Sequence, residues 1–324
     1  MNEILNYYIK TFAEKSLSLK KKGILVDKPW ALIDQEGEIQ KLIFKRDNRL
    51  ILSKNGKVKE GSWEYFPEAM ALLIDRVDDK LLLKEQFIDE NVIILKIDGT
   101  NNEFIALANE NSLPDYNIPS YFNTIRCKEL KIKEISIYNG IRVHIIDAST
   151  IDLSNNPEHL IGKEVEEIDD LYRPKKLENG HYMTYDSHLS FYIKNNYIVK
   201  VAKNLRLGSK KGMEILIEDG NEFFKEENIS KVVRINGQLI SDTRLIDKHN
   251  YIYTIKESKI EKLSIMVDYS LNKGITIKVE QNNLKKISSG DRIVASNPIN
   301  PIPDGTYRIK GKLKRIKIKD CVIQ

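Results

Sequence analysis

The sequence predicts a mostly-β chain: one N-terminal helix, a small antiparallel β-barrel, then a β domain built from irregular hairpin repeats. Three observations carry this. Residues 2–20 keep helical spacing of apolar side chains. Between Trp30 and Leu107 the apolar runs become short and are separated by turn residues. Beyond residue 160 one pattern occurs three times: G-x-x-(Val/Ile), then Asn-Gly or Asp-Gly, then an alternating apolar strand.

In the first segment, 1–23, Ile4, Leu5, Tyr8, Ile9, Phe12 and Ala13 recur at three- and four-residue steps, and Lys20-Lys21-Lys22-Gly23 ends the pattern. Such a helix either caps the domain that follows or docks on another chain through Ile4, Tyr8 and Phe12. In the second segment, 24–110, the runs are Trp30–Ile33, Ile39–Phe44, Leu50–Leu52, Trp63–Tyr65, Ala71–Ile74, Leu81–Leu83, Val92–Ile97 and Phe104–Leu107. Glu36-Gly37, Asn55-Gly56, Asp78-Asp79 and Asp98-Gly99 are among the turns between them. Eight short strands at this spacing point to an antiparallel barrel or sandwich. The succession of Trp30, an apolar strand, Gly56 and Gly61-Ser62-Trp63 resembles that of small bacterial lipocalin-like barrels. That resemblance implies a mouth able to hold an apolar ligand, with Trp30, Phe44, Trp63 and Tyr65 as wall residues; the alternative is a barrel filled by its own side chains.

Residues 111–127 read as a connector interrupted by Pro114 and Pro119, with a turn or two of helix at Tyr121–Ile125. The β domain, 128–324, opens with two strands meeting at Asn139-Gly140, a type I′ hairpin signal, and places His144 opposite Val143 and Ile145. The three copies lie near 162–200, 212–240 and 290–324. From Gly180 to Ile193 and from Gly305 to Ile318 is 13 residues, and from Gly220 to Ile235 it is 15. The pattern therefore predicts equivalent turns at Gly180, Gly220 and Gly305, with positive φ where the turn is of a primed type. Gly and Tyr punctuating short hairpins resemble the MORN-like repeats of some bacterial antitoxin-type proteins. Each unit alone leaves an apolar face and open edges, so the copies are expected to pack on one another.

Composition narrows function mainly by exclusion. The 324 residues are 31% charged and 41% hydrophobic, with a net charge of +5, which by itself specifies no nucleic acid or membrane partner. No apolar run has the length of a membrane span, and no signal-peptide pattern opens the chain, so a cytoplasmic location is expected unless export uses a route without a cleavable signal. Cys127 and Cys321 stand alone and read as free thiols. There is no G-x-S-x-G elbow, phosphate loop or H-E-x-x-H motif, and no cofactor is expected. His181, Asp186 and His188 are the nearest approach to a metal or acid-base cluster, but an odd separation puts the two histidines on opposite sides of a straight strand. The acidic run Glu164–Asp170 lacks the spacing of a calcium loop and reads as a solvated edge. Between Thr306 and Lys319 lie Arg308, Lys310, Lys312, Lys314, Arg315, Lys317 and Lys319 with no acidic residue among them. Such a stripe protects an edge strand or meets an acidic protein; with only Tyr307 to stack on, nucleic acid is disfavoured. The expectation is a non-enzymatic protein-binding or structural module of a bacterial assembly or an effector/immunity-type system. The alternatives are a barrel binding a small apolar ligand and a metal-dependent hydrolase using His181, Asp186 and His188.

Overall fold

The computed structural model describes residues 2–19, 22–33, 39–76, 78–209, 212–223, 225–236, 238–294, 302–312 and 314–324. Lys20, Lys21, the Glu36-Gly37 turn, Gly237 and most of the Pro-rich loop before Pro303 lie outside them. The chain forms two units: residues 1–132 with 168–175, and residues 133–167 with 176–324.

In the first unit eight antiparallel strands close a barrel in sequence order. They are β1 (Pro29–Ile33), β2 (Ile39–Phe44), β3 (Arg49–Lys54), β4 (Lys57–Phe66), β5 (Ala71–Asp75), β6 (Lys80–Ile88), β7 (Val92–Ile97) and β8 (Phe104–Asn109). Every strand expected from the sequence is present, and β1 pairs β8 through Trp30↔Asn109, Ala31↔Ala108 and Leu32↔Leu107. Alternation sends Trp30, Leu42, Phe44, Leu50, Leu52, Trp63, Leu72, Leu83 and Leu95 into one core, joined by Leu19, Ile24 and Leu25 from the segment before β1. Both indole N–H groups are satisfied by main-chain carbonyls, Trp30 by Leu25 at 3.0 Å and Trp63 by Lys45 at 2.9 Å.

Two helices cover the outer face of β6–β8. The first, α1, spans Asn2–Thr11 and so stops well short of residue 20. The second, α2, spans Ile118–Glu129, longer than the turn or two of helix expected at Tyr121–Ile125 within the connector. Asn117 caps it by accepting from the Ser120 amide at 3.0 Å. Pro119 lies in its first turn, where a missing N–H costs nothing. Tyr8, Phe12, Phe87 and Tyr121 surround the fully buried Phe122.

The second unit opens with β9 (Lys133–Ser136) and β10 (Arg142–Ile145). Asn139 and Gly140 have φ 83° and 76°, but the Ile137 amide donates to the Ile141 carbonyl, so a three-residue loop, Tyr138–Gly140, replaces the expected two-residue type I′ turn. β11 (Val165–Ile168) and β12 (Pro174–Lys176), which straddle the boundary between the units' residue ranges, belong to the sheet of order β12-β11-β10-β9. Val143 and Ile145 enter the core, whereas buried His144 meets Glu134 at 2.9 Å.

A six-stranded sheet follows, made of β13 (Gly180–Met183), β14 (Leu189–Lys194), β15 (Tyr197–Gly208), β16 (Glu214–Glu218), β17 (Val233–Ile235) and β18 (Gln238–Leu239). The last sheet contains β19 (Thr243–Ile246), β20 (Tyr251–Lys256), β21 (Lys259–Ser270), β22 (Thr276–Gln281), β23 (Arg292–Val294), β24 (Gly305–Arg308), β25 (Arg315–Lys319) and β26 (Val322–Ile323). Its order is β19-β20-β21-β22-β23-β26-β25-β24. The 12-residue strands β15 and β21 each pair with the preceding hairpin strand through their first half and with the following strand through their second.

One hydrogen-bond signature recurs at steps of 62 or 63 residues. The side-chain oxygen of Asn179, Asp242 or Asp304 accepts from the amide of Asn195, Glu257 or Asp320 at 2.7–2.9 Å. Each donor amide begins a two-residue turn with both φ positive: Asn195-Asn196, Glu257-Ser258 and Asp320-Cys321. The first two hairpins carry a bulge in the same place, after Tyr192 and after Thr254.

This corrects the expected middle copy. Gly180 and Gly305 are equivalent: each lies under a tyrosine two residues on, whose hydroxyl donates to the carbonyl of Glu178 or Pro303. The corresponding middle position is Thr243, not Gly220. None of Gly180, Gly220 and Gly305 has positive φ, so a threonine fits the place of the two glycines. Gly220 is glycine for a local reason, since a Cβ there would lie 2.6 Å from the Cβ of Leu205.

Candidate functional site

The basic stretch near the C-terminus forms one face of a hairpin. Alternation along β24 and β25 turns Tyr307, Ile316 and Ile318 into a core with Ile309 and Ile323, and leaves Arg308, Arg315, Lys317 and Lys319 exposed. Arg308 stands directly opposite Arg315, and Lys317 opposite Thr306. The same face continues through Val322, which pairs with both Lys319 and Arg292. Arg292, Arg308, Lys310, Arg315, Lys317 and Lys319 make no side-chain hydrogen bond or ion pair among the described residues. Lys312 and Lys314 differ: one ammonium lies 5.4 Å from the Tyr269 ring centroid, and the other donates to the Ile287 carbonyl at 2.6 Å. Like charges directly opposed on a sheet are unfavourable, so Arg308 and Arg315 repel each other across the strand pair.

A second polar cluster, not anticipated from the sequence, surrounds Glu218 at the end of β16. Its side chain is 3% exposed. The Tyr192 hydroxyl donates to it at 2.7 Å and the Arg234 Nε at 3.0 Å, with the Lys200 ammonium at 3.4 Å. His181 Nε2 lies 3.5 Å from the same carboxylate and makes no hydrogen bond. Strand register assembles the group, because His181, Tyr192 and Lys200 form a row across β13, β14 and β15. Burial works to raise the Glu218 pKa, but the Tyr192 and Arg234 hydrogen bonds and the nearby cations outweigh it and hold the carboxyl below its ordinary range. Burial and the bond to Glu218 push the Tyr192 phenol up to about 12. Burial, with Arg234 and Lys200 adding repulsion against the attraction of Glu218, brings His181 down to about 4. Sixty-two residues on, Glu280 is likewise buried and accepts from Arg244 and from Ser264, the latter at 2.8 Å. The clue available in the sequence was the acidic pair Glu218-Asp219 closing the apolar run Ile215-Leu216-Ile217, and a lone Arg234 between Val233 and Ile235.

His181 sets a pH dependence. Its folded pKa lies below the unfolded value of about 6.5, so between about pH 6.5 and pH 4 the unfolded chain binds a proton that the folded chain refuses. Stability falls on acidification through that window. Between pH 6.5 and 5 the expected loss is about 2 kcal/mol, measured by denaturant unfolding, and the His181→Gln variant should lack it. Equal slopes in the two proteins would refute this.

Other candidates are placed as follows. His188 is exposed, and Asp186 accepts from the Thr184 hydroxyl and the His188 amide, so the strand brings His181 to Glu218 and not to these two. No group of three His, Cys, Asp or Glu able to hold a metal occurs among the described residues. In the acidic run, Asp169 holds its own turn by accepting from the amides of Leu171 and Arg173. Ile4, Tyr8 and Phe12, at 4%, 2% and 3% exposure, pack against α2 and the barrel, so α1 caps its own unit and presents none of the three to an outside partner. Trp30, Phe44, Trp63 and Tyr65 belong to the barrel core, with the Phe44 and Trp63 rings edge-to-face at 5.6 Å. Cys127 and Cys321 are both free thiols. Among the described residues no helix is long and apolar enough to cross a membrane. No protein-family model, curated protein or solved structure matches the chain.

Proposed function

We propose that the chain is a non-enzymatic binding module that takes an acidic protein partner on the outer face of its last hairpin, as one component of a larger assembly. The supporting observation is the direct opposition of Arg308 and Arg315, flanked by Lys317 and Lys319, with no carboxylate paired to any of them among the described residues. Cations two apart on a strand are separated by roughly 6.6 Å, a spacing that alternate acidic residues of an extended segment share. An acidic protein fits better than single-stranded nucleic acid because Tyr307, the aromatic residue of the stripe, faces the core and offers no ring for base stacking.

The test is fluorescence anisotropy of the full chain with a labelled poly-glutamate peptide and with a labelled oligonucleotide, at about 0.1 M salt. The peptide should bind more tightly than the oligonucleotide. The triple variant R308E/R315E/K317E should lose that binding with its circular dichroism unchanged. Preference for the oligonucleotide, or peptide binding that survives the charge reversal, would count against the proposal.

A further inference from the structure

A second site lies in the first unit, on the flank of the barrel. A cavity of about 190 Å³ opens between α1, α2, β8 and the segment 168–175. Its walls are Ile4, Leu5, Tyr8, Ala106, Ile118 and Leu171, with Tyr116 and Pro119 beside them. The hollow exists because β8 points the small Ala106 outward beneath the helices, where a larger side chain would fill the space.

The polar atoms near these walls are already occupied. The Tyr8 hydroxyl donates to the Leu171 carbonyl at 3.0 Å, with the Pro119 carbonyl at 3.4 Å, and the Tyr116 hydroxyl donates to Glu110 at 3.1 Å. A water needs two to four polar partners to reside in a cavity, and an apolar cavity of about 150 Å³ in another protein stays dry and binds benzene. With both tyrosine hydroxyls occupied and the lining predominantly apolar, a polar ligand would find little to bond. Leu171, at 44% exposure, is the outermost of the apolar walls, and the Tyr8 hydrogen bond to its carbonyl fixes it there.

We infer that this cavity is a binding site for a small neutral hydrocarbon-like molecule, the size of one aromatic ring or a short branched chain. It is separate from the barrel interior and from the basic hairpin, and does not depend on the function proposed above.

Toluene is the probe, added to the full-length protein and followed by methyl NMR and by thermal unfolding. Saturable shifts are expected at the methyl groups of Ile4, Ile118 and Leu171, with a rise in melting temperature. Ala106→Leu should weaken binding roughly tenfold or more by filling the space, and the smaller Ala106→Val should weaken it less. No saturable response in the wild-type protein would overturn the inference. So would a response confined to barrel-core residues, or equal affinity in a folded Ala106→Val or Ala106→Leu protein. If Ala106→Leu fails to fold, Ala106→Val and the wild-type methyl map decide.

Discussion

Replacing Glu218 by alanine is expected to cost about 3–5 kcal/mol of unfolding free energy. The carboxylate takes hydrogen bonds from Tyr192 and Arg234. Its removal strands the Arg234 guanidinium, 8% exposed, in surroundings where an unpaired charge is expensive, and leaves the Tyr192 hydroxyl without its acceptor. Glu218→Gln retains an oxygen for Tyr192 and loses only the charge, so it should cost less. A double replacement, Glu218→Leu with Arg234→Leu, should recover most of the loss, because exchanging a whole buried pair for apolar groups is often nearly neutral. Urea unfolding of the four proteins at pH 7 is the measurement. A loss below about 1 kcal/mol for Glu218→Ala, or a double variant worse than the single, would contradict this account.

Phe122→Ala should cost a similar amount, about 3–5 kcal/mol, for a different reason. The ring is stacked on Tyr8 at 4.4 Å and on Phe12 at 5.3 Å, and meets Phe87 edge-on at 5.0 Å. Truncation removes those contacts and leaves a void between two helices and the barrel wall. At ten residues α1 is too short to be stable alone, so its order depends on this contact. Amide exchange in α1 should accelerate in Phe122→Ala while the barrel strands remain protected, and Phe122→Leu should cost under about 1.5 kcal/mol. Unchanged protection of α1 would show that other contacts hold it.

The barrel was the most legible part of the chain, because short apolar runs of three to six residues bounded by turn residues leave few other conformations. The 118–129 helix was legible only as a turn or two at Tyr121–Ile125, because Pro119 was read as an interruption, whereas in the first turn of a helix it is favourable. The N-terminal pattern was apparent, but helical spacing alone does not tell a cap from a docking helix; only the presence of Phe122 and Phe87 against it does. The strands at 251–255 and 263–267 were legible, but not their place in the repeat, because the pattern was keyed on glycine, whereas the turn between them, Glu257-Ser258, is marked by the Asp242 side chain and two residues of positive φ. The Glu218 cluster was hidden by distance in sequence. Tyr192 and Arg234 lie 26 and 16 residues from Glu218, and only the register of β14–β17 brings them together.

The long strands β15 and β21 have a consequence for how the second unit comes apart. Each belongs to two neighbours at once, so no hairpin can detach without taking half of the next hairpin's support with it. Neighbouring cores are thereby spliced into a single melting unit along the backbone itself, in addition to whatever their side chains contribute. A chain of this design could gain or lose length without exposing a ragged end only in whole steps of about 62 residues, the interval at which its turn hydrogen bonds come back into phase.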